Sequence, residues 1–278
     1  MNIWLPINKI RHAPASPLKS GLCTQAQLLS PKFQDWVAAM HEQPGALHRK
    51  IWEFAFIAQA LHERGMLQTG KRGAGFAVGR EPLPSLFAAR GCEILATDLG
   101  EESQDASIWI GSAQHAGSLA LLNERALCDP DAFEQRVRFR PVDMRALPED
   151  LGEFDFLWSS CSMEHLGSLE AGKSFVMNAL RHLKPGGVAV HTTEINVSSN
   201  IRTQEDGIAV IYRRRDLREL ARRLRAAGMR VTLDLRDGGL PADRVVDLPP
   251  YGTASSHLKL SLSGYVSTSF GLIIERPA

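Results

Sequence analysis

At 278 residues and 44% hydrophobic side chains, the chain can bury a full core, as one large domain or as a domain with an appendage. Its 32 Lys and Arg against 31 Asp and Glu leave a net charge of +1, so no electrostatic pull toward nucleic acid or an anionic membrane is expected. The cysteines Cys23, Cys92, Cys128 and Cys161 form no C-x-x-C pair, which argues for a reducing compartment and against a disulfide scaffold or zinc site. No stretch reaches the roughly 18 to 20 uninterrupted apolar residues of a membrane span. Met1 to Leu18, with its charges and prolines, does not read as a secretion signal. The expectation is a soluble cytoplasmic protein.

Met1 to Ser30 has no clear period and reads as an irregular arm. Ser30-Pro31 opens a helix carrying Phe33, Trp36, Val37 and Met40 on one side, and Gly45 interrupts it. A second helix over Leu47 to Arg64 sets Ile51, Phe54, Ala55, Ala58 and Leu61 at three- and four-residue steps. Residues 1–66 therefore read as an arm and a helical cover, and residues 67–278 as the main domain. That domain opens on a small, apolar run, Gly75 to Val78, with the bulk of a buried strand, which Gly79 breaks. An earlier frame, with the strand on Gln68 to Arg72, is too polar. Pro82 begins a helix, Gly91 ends it, and Cys92 to Thr97 forms the next strand with Asp98 at its carboxyl end. This is a β-turn-α-β unit of the kind that brings backbone N–H groups and a helix start to a nucleotide, with an acid at the next strand tip for ribose hydroxyls. The three-glycine fingerprint is incomplete, because Ala77 and Glu81 stand where glycines are expected.

Further along, Ser107 to Ile110 and Leu119 to Leu127 read as helical, Val137 to Val142 as a strand ending at Asp143, and Phe154 to Trp158 as a strand ending in Ser159-Ser160. A helix from Leu169 to Leu183 stops at the turn Lys184-Pro-Gly-Gly187. The strand Val188 to Thr193 then delivers Glu194 and Asn196. Arg215 to Ala227 reads as a helix, Met229 to Leu235 and Ser269 to Glu275 as strands, and Asp247 to Leu260 as a loop or a lid. The seven arginines between Arg213 and Arg225 are interrupted by Asp216 and Glu219 and read as a solvated helix face. Alternating strands and helices predict an α/β fold, a mostly parallel sheet between two helical layers, with ligands at the carboxyl ends of the strands. Asp98, Asp143, Ser159 and Glu194 all fall at such ends.

The segment Phe154 to Glu194, FDFLWSSCSMEHLGSLEAGKSFVMNALRHLKPGGVAVHTTE, resembles the centre of class I S-adenosylmethionine-dependent methyltransferases, with Lys184 to Gly187 its most specific piece. The resemblance covers about Lys71 to Arg276 and implies a three-layer αβα sandwich with a seven-stranded sheet, its last strand antiparallel between the fifth and sixth. It also implies S-adenosylmethionine as cofactor. Ala77, Gly79 and Glu81 would then surround the methionine part, Asp98 and its neighbour Leu99 would meet the ribose, Asp143 and Met144 the adenine, and Ser159 and Ser160 the sulfonium. The acid that usually precedes the loop is missing, Gly75 standing in its place, and Glu81 is the substitute for supporting the cofactor's ammonium.

Methyl transfer needs an in-line acceptor and, for a hydroxyl, a base. His165 and Glu194 are the candidate bases, with Glu164 and His191 behind them. His191 sits inside a strand. Some related quinone-type enzymes hold a divalent ion through E-x-x-E-H; the corresponding stretch, Cys161-Ser-Met-Glu164-His165, lacks the first acid, so no metal is expected. The reading is O-methylation of a small-molecule or saccharide-like acceptor. The alternatives are an NAD(P)-dependent oxidoreductase, disfavoured by the broken glycine loop and the lack of a Tyr-x-x-x-Lys pair, and a non-catalytic protein that keeps the fold.

Overall fold

The computed structural model describes residues 17–100 and 119–278. The expected helix at Ser107 to Ile110 lies outside them. Eleven strands are present among the described residues, nine of them in one sheet. The parallel part is built from β2 (Arg72–Phe76), β3 (Glu93–Asp98), β4 (Val137–Pro141), β5 (Phe154–Ser160) and β7 (Leu183–Asn196), which lie side by side in the order β4, β3, β2, β5, β7. The intervening β6 (Gly167–Ser168) pairs only with β8 (Asp206–Gly207) in a small separate ribbon. Beyond β7 the long β11 (Tyr265–Glu275) runs antiparallel, with β10 (Lys259–Leu262) hairpinned onto it.

Two differences from the sequence reading concern the far edge. The sheet has nine strands, not seven, because β10 is added on β11 and the arm contributes β1 (Ser20–Leu22), which pairs antiparallel with β11 and parallel with the short β9 (Leu233–Asp234). β1 thus stands between the last strand and the sixth of the expected order. Arg230 bridges to Glu275 and is all that remains of the direct contact. Polar Ser20 and Gly21 hid this strand. Ser20 is nonetheless buried, its hydroxyl accepting from the Ile273 backbone N–H at 2.9 Å.

Among the described residues the α-helices are α1 (Gln25–Leu28), α2 (Pro31–Ala39), α3 (Arg49–Glu63), α4 (Leu83–Ala88), α5 (Pro130–Arg136), α6 (Leu169–Ala179) and α7 (Arg214–Ala226). Ser30 precedes α2 with Pro31 at its first position, as the sequence indicates. Period-two alternation along β5 splits the core. Phe156 and Trp158 join the apolar cluster under α3 and α4, while Leu157 faces the one under α6 and α7. The Lys184 to Gly187 segment is not a free turn. It is taken into the start of β7 as an irregularity, between the pairs Phe154↔Leu183 and Phe156↔Val188. Of the seven arginines, Arg213, the residue just before α7, is buried, its Nε donating to Asp216 at 2.7 Å and its Nη1 to Glu205 at 2.6 Å.

The first parallel strand begins at Arg72, three residues before the expected start, and ends at Phe76. Its small residues answer to bulk on β5. A Cβ on Gly73 would meet the Phe156 ring at 2.2 Å and one on Gly75 the Trp158 ring at 2.3 Å. Gly75→Ala is therefore expected to destabilise the protein by about 1–3 kcal/mol through overpacking. Gly239→Ala, where a Cβ meets nothing within 4 Å, should stay near wild type. Urea denaturation of the two variants checks this, and equal stability would contradict the assigned packing.

Candidate active site

The carboxyl ends of β2, β3 and β5 and the loop after β4 open onto a cavity of about 410 Å³, in the range of small-molecule sites. The chain turns sharply where β2 ends, with Ala77 at φ +49° and Gly79 at φ +51°. Positive φ is natural for glycine and costly for alanine, so Ala77 is a backbone outlier held by its surroundings. The turn is tied to β3: the Gly79 N–H donates to Asp98 Oδ2 at 3.1 Å and the Thr97 hydroxyl to the Gly75 carbonyl at 2.9 Å. Leu99 N–H donates to the other Asp98 oxygen at 2.8 Å, and Val142 N–H to the Asp98 carbonyl at 2.8 Å, which brings Asp143 and Met144 beside it. Asp98 and Asp143 therefore stand on the same cavity. Burial would raise the Asp143 pKa, but the Arg145 guanidinium, at 2.8 Å from Oδ2 and 3.0 Å from Oδ1, holds it below the usual carboxylate range.

Glu81 lines the same cavity, buried, with its Oε1 accepting from the Trp158 indole N–H at 2.5 Å. Burial pushes its pKa up to about 8 despite that bond and the nearby Lys50, so the carboxyl is mostly protonated at neutral pH. The space beside Gly75 is thus filled by the indole, and the indole aims an acid from the helix start instead.

The cavity floor, Ser160, Cys161 and Ser162, rests on a buried charge network from α3, β7 and β11. Arg49 Nη1 is 2.6 Å from Glu194 Oε1 and 3.1 Å from Glu53 Oε1, and Lys50 Nζ is 3.0 Å from Glu53 Oε2. Ser160 donates to Glu53 at 3.3 Å, Ser269 donates to it as well, and Ser267 donates to Glu194 at 2.6 Å. Burial alone would raise the Glu53 pKa, but Lys50 and Arg49 bring it down to about 2. Among the described residues, Cys161, Glu164 and Glu194 place possible metal-ligand atoms within 4.8 Å of one another. The Arg49 guanidinium already pairs with Glu194 and lies 3.7 Å from Cys161 Sγ, so a fixed cation meets this cluster and a divalent ion would be repelled.

The expected cofactor residues Ala77, Gly79, Glu81, Asp98, Leu99, Asp143, Met144 and Ser160 all line the cavity. Ser159 does not. Strand alternation turns it to the opposite face from Ser160, where its hydroxyl meets His191 Nδ1 at 2.8 Å. His191 is the core histidine expected; burial lowers its pKa to about 3, so it stays neutral. Of the candidate bases, His165 lines the cavity, with Nδ1 2.8 Å from the Ile208 carbonyl. Glu194 does not reach it, because Arg49 and Ser267 engage both its oxygens below the floor. The sequence reading missed Arg49, Lys50 and Glu53. Their signal was three charges beginning an otherwise apolar helix, IWEFAFIA, with Glu53 inside the run.

A mostly parallel sheet with an acid at the tip of β3 and a tight turn after β2 is the arrangement of nucleotide-binding α/β folds. Residues 75–191 match the family model described as a methyltransferase domain. The match places a methyltransferase domain over the part of the chain that carries β3, β4 and β5, and the cofactor of such a domain is S-adenosylmethionine. The residues present fit that cofactor: two carboxylates, Asp98 and Asp143, on one cavity of about 410 Å³. No curated protein matches the sequence. Solved structures that resemble it include a protein assigned as a sarcosine dimethylglycine methyltransferase from Galdieria sulphuraria, at 14% identity and TM-score 0.49, covering 89% of this chain and 99% of that one. A methyltransferase from Clostridium acetobutylicum ATCC 824 has 14% identity and TM-score 0.47, covering 84% and 93%. The magnesium protoporphyrin IX methyltransferase of Synechocystis PCC 6803, with bound S-adenosylhomocysteine, has 13% identity and TM-score 0.47, covering 91% and 97%.

The network predicts a pH signature. A folded-state pKa near 2 against the ordinary 4.5 means that Glu53 stabilises fully above about pH 4.5, and that this share is lost as pH falls toward 2. Glu53→Gln should cost about 3 kcal/mol at pH 7, the scale of a broken buried ion pair, and the gap to wild type should narrow between pH 5 and 3. Denaturant titrations at several pH values measure it; a gap that does not change with pH would refute the charge assignment.

Proposed function

We propose that this methyltransferase transfers the methyl group to an oxygen of a small-molecule or saccharide-like acceptor. The observation that supports a site here is the convergence of Asp98, Asp143, the Ala77 to Glu81 turn and Ser160 on one cavity. In this reading Asp98, already oriented by two backbone N–H groups, takes the ribose hydroxyls, with Leu99 against the same sugar. Asp143 and the Met144 backbone take the adenine edge. The turn takes the methionine end, and Ser160 lies by the sulfonium. S-adenosylmethionine supplies a methyl group on a sulfonium already activated toward nucleophiles. The protein is left to place the acceptor and to hold or move one proton.

His165 is the base in this scheme. It lines the cavity, where its Nδ1 lies 2.8 Å from the Ile208 carbonyl. Glu81 supports the cofactor's ammonium, and it must ionise to do so.

Asp98→Ala removes two charge-assisted hydrogen bonds to the sugar, and S-adenosylhomocysteine affinity should fall roughly 30- to 100-fold by isothermal titration. An unchanged affinity would remove Asp98 from the site. Because Glu81 is held protonated up to about pH 8, binding of S-adenosylhomocysteine at pH 7 should release a proton. Titrations in buffers of different ionisation enthalpy read that release directly, and Glu81→Gln should abolish it. Thermal shifts with S-adenosylhomocysteine and with NAD separate the methyltransferase reading from the oxidoreductase one, since stabilisation by NAD alone would sink the former.

A further inference from the structure

We propose that a groove on the α6–α7 face of the sheet, over β3 and β4, docks an acidic amphipathic helix of a partner protein. The groove encloses about 760 Å³ and shares no lining residue with the catalytic cavity.

Strand register places it. Ala74, Leu95 and Arg138 pair in one row across β2, β3 and β4, with Arg72 paired to Glu93 in the row before and Thr97 to Arg140 in the row after. Side chains alternate along a strand, so these rows share the face on which Ala74 and Leu95 join the apolar cluster under α6 and α7. A parallel sheet is ordinarily covered on both faces by the helices of its crossovers. Here α6 follows β5 and α7 follows β7, but the crossover from β4 to β5, residues 142–153, holds no α-helix; its one helical turn is the 3₁₀ turn Glu149–Leu151. The outer strands are left with a groove where a helix would lie, and Leu95, Leu151 and Phe154 give it an apolar lining.

Its rim is cationic. Arg72, Arg136, Arg138 and Arg140 line the groove against a single acid, Glu93. Two of the four are committed: Arg72 Nε is 3.6 Å from Glu93 Oε2, with its guanidinium over the Phe154 ring, and Arg140 Nη2 donates to Asp150 at 2.8 Å. Arg136 and Arg138 meet no carboxylate among the described residues. Arg136 Nη1 donates to the Ala88 carbonyl at 3.2 Å, and Arg138 Nη1 to the carbonyls of Glu134 at 2.6 Å and Val137 at 3.0 Å. Backbone oxygens thus hold both guanidiniums in place without neutralising them, and most of their N–H donors stay unspent.

An apolar bottom between cations selects an apolar ridge between carboxylates. A helix with apolar residues at i, i+3, i+4 and i+7 and Asp or Glu beside them supplies both, and the arginine forks match carboxylates. A basic helix would be repelled. Free phosphate would engage the arginines but gain nothing from the apolar lining, and a strand added to β4 would lie beside the groove and not in it.

The test uses the full chain and fluorescence anisotropy with a labelled synthetic peptide of about 18 residues, leucine on one helical face and glutamate at its margins. Its lysine counterpart and a version with a central proline, which keeps the charge and breaks the helix, are the controls. The acidic helix should bind saturably and at least tenfold more tightly than either control. Arg138→Glu and Arg136→Gln should each weaken it fivefold or more while leaving S-adenosylhomocysteine affinity unchanged, and Arg138→Gln should weaken it in the same direction at the same exposed position. No saturable binding, equal binding of the lysine or proline peptide, or binding that survives these substitutions overturns the proposal. Inorganic tripolyphosphate that binds as tightly as the helix overturns it too, by making the groove a site for free phosphate.

Discussion

The buried carboxylate of Glu53 ties the N-terminal helices to the sheet and sets the floor of the site. It sits on α3 above the β7–β11 pair, where Ser269 is directly opposite Glu194 in the strand register, and both face the helix. A carboxylate removed from water is unfavourable unless its charge is balanced and its lone pairs are filled. Arg49 and Lys50, one turn or less earlier on the same helix, balance the charge, and two serines complete the bonding. The apolar half of the helix repeats the fit: Phe56 covers Gly271, where a Cβ would lie only 2.1 Å from its ring. Charge and shape thus specify one seating of α3. That seating puts Lys50 and Phe54 on the cavity wall, so the helix is part of the site and more than a cover.

The other wall depends on a trade between glycine and tryptophan. Two glycines in β2 admit the rings of Phe156 and Trp158 against the strand backbone, and α4 closes over them with Phe87 edge-on to both. A side chain at Gly75 would exclude the indole. Its N–H would then no longer reach Glu81. The loss of an acid from the strand and the appearance of one at the helix start are two sides of one packing arrangement.

Much of this was legible in the sequence because it depends on local pattern. The turn at Gly79 with Asp98 nineteen positions later, the pairing of Asp98 with Asp143, and α2 and α3 follow from periodicity, breakers and strand ends. The start of β2 was misplaced because hydrophobic bulk marked the strand, whereas here the small residues are the strand and the bulk comes from β5. β1 was missed for the related reason that three residues, two of them Ser and Gly, carry no alternation to detect. Ser159 and Ser160 were grouped because they are adjacent, although adjacency along a strand means opposite faces. The floor network was invisible because Arg49, Glu194 and Ser269 meet only through the fold.

That last group also explains how a chain without the first acid of an E-x-x-E-H pattern can keep the Glu164 of that pattern close to Glu194. Glu164 remains, but it is buried and driven toward neutrality, and Glu194 is compensated by an arginine of the chain itself. A metal ion in such a position serves to concentrate positive charge where oxygen must be held. Arg49 brings the charge covalently and in a planar fork, two of whose nitrogens serve different purposes: Nη1 neutralises Glu194 and Glu53, while Nε has no partner inside the protein. A guanidinium cannot gain or lose a ligand as a metal can. The centre therefore keeps a fixed charge whatever the ion supply, and the orientation of the guanidinium is set by bonds that the fold has already made.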